Sequence, residues 1–364
     1  MPGMPVKPNK KASGGGKKKK KGDGDGLGVG GMMNVLDSIK KGAPAVPGLS
    51  KMNAQRYAWG AAEATGPREY MEDAWVVKET GLGGGYFFAS VMDGHGGAAS
   101  SAYLRENLFS LLDEKIPKFG AGEGTPGAVP DGTPDGGYLA KSLKTGFDAA
   151  DESLIDHIAR LGEPECWSGS TCTSVLVRDD RVVAANVGDS RAVLIRKGKA
   201  LELTADHRPL GSSVTGRQEM DRITRAGGWS VGGRVCGILA VSRAFGDYEF
   251  KGGRFDLLND LSEEPLAKKA TLAEPPVVPT PAVKEIARDA ETDEWLVIAS
   301  DGLWDTVNST ACATFISQEC KKNPGMRADA LADALVKRAI RFRTQDNVCV
   351  VVVDLRRKEA ATAA

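Results

Sequence analysis

Between about Ala54 and Leu355 the sequence predicts a mixed helix-and-strand protein, and three observations carry that reading. Short apolar runs rich in β-branched and aromatic residues are bounded by Gly and Asp, the pattern of buried strands. Amphipathic stretches such as residues 153–161 (SLIDHIARL) carry helical spacing. Glycine is abundant, 45 of 364 residues, about twice its usual share, so turns are frequent.

The whole-chain numbers exclude several classes. Lys+Arg and Asp+Glu both number 48, so the formal net charge is zero, and a dedicated nucleic-acid binder would be basic overall. No apolar run reaches the roughly 18 residues that cross a bilayer. The N-terminus lacks the apolar core of a secretory signal, so residence in the cytoplasm and/or nucleus is expected. The length fits two domains or one large domain with additions. The six Cys form no CxxC pair, so metal–thiolate and redox motifs are not expected; reduced thiols are, several of them buried.

The neutral sum hides a split. Residues 1–51 hold eleven Lys, no Arg and three Asp, a net +8, which leaves −8 for the rest. Residues 1–50 are a Gly/Lys-rich tail that cannot bury enough apolar surface to fold, so disorder is expected. Inside it, Val35, Leu36 and Ile39 allow one short helical turn. The Lys17–Lys21 run reads as an import or acidic-partner patch, an anionic-membrane contact or a solvating tail. Pro2 after Met1 removes the N-myristoyl pattern. Residues 120–137 read as a flexible Gly/Pro-rich insertion, 248–281 as a long irregular excursion, and 357–364 as a disordered C-terminus.

The chemistry-bearing pattern is a set of strand-like runs that stop at acids. YFFASVM ends at Asp93-Gly94-His95, VVAANV at Gly188-Asp189, and WLVIAS at Asp301-Gly302; Asp346-Asn347 precedes VCVVVVDL. A strand end holds a carboxylate in fixed geometry, and a following Gly lets the backbone approach a ligand. Asp-Gly is also ordinary turn chemistry. Four acidic strand ends together with Glu72-Asp73 favour a site, because converging carboxylates repel unless a cation compensates them. Oxygen donors without a Cys or His cluster favour Mg²⁺ or Mn²⁺ over zinc. His95, between glycines beside Asp93, is a candidate for proton transfer. His157 reads as a solvated helix residue and His207 as a structural one. Arg68, four residues before Glu72, is a candidate phosphate ligand.

In order along the chain stand REYMEDAW, SVMDGHGG, SGSTCTSVLV, ANVGDSRAVL, LTADHRP, GRVCGILAVSRAFGD, IASDGLWD and QDNVCVVVV. Together these resemble the metal-dependent protein phosphatases (PPM) of the type 2C class, over residues 54–356. The resemblance implies an α+β fold, a four-layer αββα sandwich of two antiparallel sheets flanked by helices. It implies a phosphoserine/phosphothreonine phosphatase in which a hydroxide activated by two metals attacks phosphorus directly, with no covalent intermediate. It gives Asp93 as the residue bridging two Mg²⁺ or Mn²⁺ ions, the Gly94 carbonyl as a ligand, and Asp301 and Asp346 as further ligands. Glu72 acts through a water and Asp73 supports it. Asp189, Asp301 and Asp305 match a weaker third site. Arg68 holds the phosphate and His95 is the general acid. Residues 248–281 match the family's variable flap. Arg208 stands where the family often has Lys, and Trp229 directly follows Gly227-Gly228, so the receptor docking of some plant members is not expected. The expected partners are phosphoprotein substrates and, for the tail, acidic proteins; nothing requires more than a monomer. A catalytically dead scaffold should have lost Asp93, Asp301 or Asp346, and all three are present. A small-molecule phosphohydrolase is the third possibility.

Overall fold

The computed structural model describes residues 57–82, 85–116, 138–251 and 272–356. The tail with its short helical turn, the 120–137 insertion, residues 252–271 of the excursion and the C-terminus after Arg356 lie outside the described residues.

Two five-stranded antiparallel sheets form the centre. One runs in the order β1 (Ala58–Ala64), β15 (Val348–Asp354), β14 (Asp293–Ala299), β8 (Arg191–Arg196) and β9 (Lys199–Glu202). The other runs β13 (Ala282–Ala287), β7 (Arg181–Val187), β6 (Cys172–Val177), β3 (Tyr86–Met92) and β2 (Ala74–Leu82). The apolar runs are continuous because both faces of the inner strands are covered. Phe87, Ala89 and Val91 of β3 meet Cys349, Val351 and Val353 of β15 between the sheets. The alternate residues turn outward. Tyr86, Phe88 and Met92 pack beneath α1 (Ala99–Lys115) and α2 (Tyr138–Leu161). Val348, Val350 and Val352 pack beneath α4 (Asp301–Trp304), α5 (Ser309–Lys322) and α6 (Ala328–Arg341). Each such fully buried aliphatic side chain contributes about 1.5–3 kcal/mol. The result is the expected αββα sandwich.

Three smaller features shape the edge where the strands end. The two-residue strands β4 (Gly94–His95), β5 (Gly169–Ser170) and β12 (Phe245–Gly246) form a separate small sheet in the order β12-β5-β4. β10 (Ser230–Val231) and β11 (Arg234–Val235) form a hairpin. Helix α3 (Val214–Arg225) starts at Ser213, whose hydroxyl accepts from Gly216 N–H. Buried Glu219 fastens α3 by accepting from Arg222, Arg243 and the Ser242 hydroxyl. Among the described residues no helix is long and apolar enough to cross a membrane, and all six Cys are free thiols.

Candidate metal centre and active site

Asp93 leaves the end of β3 and is held by its backbone. Its N–H donates to Thr171 Oγ1 (3.2 Å) and its carbonyl accepts from Thr171 N–H (2.9 Å). Gly94 must be Gly, because a Cβ there would lie 2.4 Å from the Glu72 carbonyl oxygen. Asp301 begins α4 at the end of β14. The Ser300 hydroxyl before it accepts from Cys349 N–H (2.9 Å), which ties the end of β14 to β15.

Asn347 assembles the opposite side. Its Oδ1 accepts from Glu72 N–H (2.7 Å), and its Nδ2 donates to the carbonyls of Thr65 (2.8 Å) and Tyr70 (3.0 Å). One side chain thereby fixes the Arg68–Glu72 loop against the start of β15. Arg68 donates to the Gln345 carbonyl (3.0 Å) and pairs with Asp346 (2.7 Å); its side chain is about half exposed. Glu72 Oε1 accepts from Gly97 N–H (2.9 Å). Asp189, at the end of β7, is reached by Arg208, whose guanidinium also pairs with Asp301 (2.9 Å) and Asp305 (3.1 Å).

Oxygen atoms of Asp93, Asp189 and Asp301 lie within 4.8 Å of one another. Burial pushes the Asp93 carboxyl well above its ordinary range, and the charges of Asp73, Asp189 and Asp346 push it further. Burial and the charges of Asp93, Asp189 and Asp305 push Asp301 up to about 9, although Arg208 offsets part of it. Burial chiefly pushes Asp73 up to about 7, and one of its buried oxygens, Oδ2, has no hydrogen-bond partner. Asp189 is also raised, by burial that Arg208 opposes. Crowded, desolvated carboxylates with an unpartnered oxygen are the donor set a hard divalent cation fits. The fold thus brings Asp93, Asp189 and Asp301 together, puts Asp73 and Asp346 within electrostatic range of Asp93, pairs Arg68 with Asp346, and sets Asp305 beside Asp301 and Arg208.

His95, in β4, places Nε2 2.8 Å from Asp247 Oδ1. Burial alone would lower its pKa; the charge and hydrogen bond of Asp247, with Asp189 and Glu249, outweigh that and raise it. Glu249 is itself buried and pushed up to about 7 by burial and by Asp247. Sequence reading missed Asp247 and Glu249. The available signal was that Asp247 follows Phe245-Gly246, repeating the acid-after-strand pattern. His157 is exposed on α2 beside Tyr103. His207 is buried, and its backbone bridges Gly188 and Ser242.

The protein phosphatase 2C family matches residues 58–348, and the chain belongs to it; it is a serine/threonine protein phosphatase. Protein phosphatase 2C 57 of Arabidopsis thaliana is 34% identical over 306 residues, covering 83% of this chain and 76% of that protein. The probable protein phosphatase 2C 68 of Oryza sativa subsp. japonica is 34% identical over 322 residues, covering 83% and 79%. Among solved structures, a serine-threonine phosphatase 2C from Toxoplasma gondii superposes with a TM-score of 0.61 at 19% identity, covering 82% of this chain and 94% of that one. A C. elegans sex determining protein gives 0.62 at 22% identity, covering 82% and 65%. These two share the fold.

Proposed function

We propose that the chain hydrolyses phosphoserine and phosphothreonine in proteins with Mg²⁺ or Mn²⁺ held among its strand-end carboxylates, by direct attack of water on phosphorus and without a covalent intermediate. The observation that carries this is the convergence of Asp93, Asp189 and Asp301, whose carboxyls are all pushed upward, chiefly by burial and, for Asp189 and Asp301, against the opposing charge of Arg208. Asp93, the Gly94 carbonyl, Asp301 and Asp346 would hold the cations. Glu72 and Asp73 would support them, and Asp189, Asp301 and Asp305 would hold a weaker third. Bound there, the cations supply Lewis acidity and nucleophile activation at neutral pH.

The chain's own residues do the rest. Arg68 offers a planar donor pair to the phosphate oxygens, and its exposure lets a phosphate compete with Asp346 for it. It stabilises the charge spread over the equatorial oxygens in the transition state. His95 protonates the departing serine or threonine oxygen, a role worth about 10²–10⁴ in rate. Residues 54–356 act as the catalytic domain, 248–281 as a flap that selects substrates, and the basic tail as an address or a dock for acidic partners. The chain acts as a monomer in the cytoplasm and/or nucleus.

The test is hydrolysis of a phosphothreonine peptide by the full chain in excess chelator, then with Mn²⁺ or Mg²⁺ restored. Turnover that appears only with the cation supports the reading. Full turnover in chelator overturns it.

A further inference from the structure

The small sheet β12-β5-β4 brings two side chains together across its central strand. His95 on β4 and Gly246 on β12 both pair with the same residue of the central strand, Gly169. Asp247, the residue after Gly246, reaches across that strand to place Oδ1 2.8 Å from His95 Nε2. A Cβ on Gly169 would lie 2.3 Å from both of those atoms. The carboxylate and the imidazole therefore meet in the space where any other residue at 169 would put its side chain.

Asp247 is costly to the fold. Its backbone is left-handed, φ 51° and ψ 56°, a conformation an L-residue other than Gly adopts only at a price in stability. Its carboxylate is buried, and Oδ2 has no hydrogen-bond partner. Among the described residues its side chain hydrogen-bonds to His95 alone.

Its flanks are clamped. The Asp247 N–H donates to the Ser168 carbonyl (3.2 Å). On one side, Gly246 N–H donates to Asp151 of α2 (2.8 Å). On the other, buried Lys251 pairs with both oxygens of Asp151 (2.7 and 2.9 Å) and donates to the Ala244 carbonyl (2.9 Å). A strained, half-satisfied carboxylate held this firmly against one histidine is explained by what it does to that histidine.

We infer that Asp247 is a positioning residue for His95, and that Gly169 is the opening through which it acts. A carboxylate only accepts, so Nε2 carries the hydrogen and Nδ1 is the nitrogen left to serve the reaction. When the P–O ester bond breaks, its electron pair stays on the departing oxygen. That oxygen takes the Nδ1 proton, and the imidazole is left neutral with Nε2–H still donating to Asp247. The inference rests on the reading of His95 as the general acid.

The experiment uses the full chain with Mn²⁺ and two substrates, p-nitrophenyl phosphate with a good leaving group and a phosphothreonine peptide with a poor one. Asp247→Asn is expected to lower kcat on the peptide about 10- to 100-fold and on the aryl ester less than about threefold, with KM little changed. Gly169→Ala, which keeps both side chains in the protein but forces them apart, is expected to show the same selectivity. The double variant His95→Gln/Asp247→Asn should lose no more than His95→Gln alone. Nitrogen-15 spectra should show the His95 ring protonated at Nε2 in the unaltered chain and a mixed tautomer in Asp247→Asn. If His95→Gln loses equally on both substrates, the general-acid reading falls, and this inference with it. If His95→Gln is selective but Asp247→Asn and Gly169→Ala lose equally on both substrates, or if the two losses multiply, this inference alone is overturned. Should Asp247→Asn fail to fold, Gly169→Ala and the spectrum decide it.

Discussion

Asp301 illustrates how one side chain can serve a site at the expense of the protein that carries it. Its folded-state pKa of about 9 lies far above the ordinary 3.8, because burial and three neighbouring carboxylates disfavour its charge. Between those two values the folded chain binds a proton that the unfolded chain does not. Stability in excess chelator is therefore expected to fall as pH rises from about 4 to about 9. Asp301→Asn removes that titration. Its urea midpoint should be flatter across the window, while its turnover with Mn²⁺ is lost. Parallel pH profiles for the two proteins, or near-normal turnover in the variant, would remove Asp301 from the cluster.

Helix α3 is positioned by a titration of the opposite sign. Burial opposes charge on Glu219, but the Arg243 and Arg222 guanidiniums and the Ser242 hydroxyl outweigh it and hold the carboxyl down at about 2, below the ordinary 4.5. That stabilisation is complete above about pH 4.5 and is lost as pH falls towards 2. Glu219→Gln is expected to cost about 1–3 kcal/mol at pH 7, with the gap to the parent chain closing across that acid window. Urea denaturation at pH 7 and pH 3 measures it; a gap independent of pH would separate Glu219 from the two arginines. Asn347 works in a related way at the start of β15. One amide reaches three backbone groups and sets the Arg68–Glu72 loop beside Asp346. Gly302 completes the join, since a Cβ there would meet the Asn347 carbonyl oxygen at 1.9 Å.

Taken as a whole, the chain divides its charge between a +8 segment and a −8 body. Removing residues 1–53 is expected to leave kcat and KM for p-nitrophenyl phosphate within about twofold, because a tail's charge at a distance is screened within about 8 Å at physiological salt. A tenfold fall in steady-state assays would couple the tail to the chemistry. Much of the body was legible beforehand. Both faces of β3 and β15 are covered, so their apolar runs announce strands, and an aspartate closing such a run is a local event that turn chemistry exposes. The eight ordered motifs carried the αββα architecture. Other facts depend on register between distant segments. His95 and Asp247 are 152 residues apart and meet only because β4 and β12 flank the same glycine. Arg208 joins Asp189 to Asp301 and Asp305, which lie 93 and 97 residues beyond Arg208 itself, because β7 and β14, in different sheets, end at the same edge. Periodicity and turn residues record what a segment does with its own neighbours. Which strands lie side by side is settled by two-sided burial across the sandwich, a property no single segment contains.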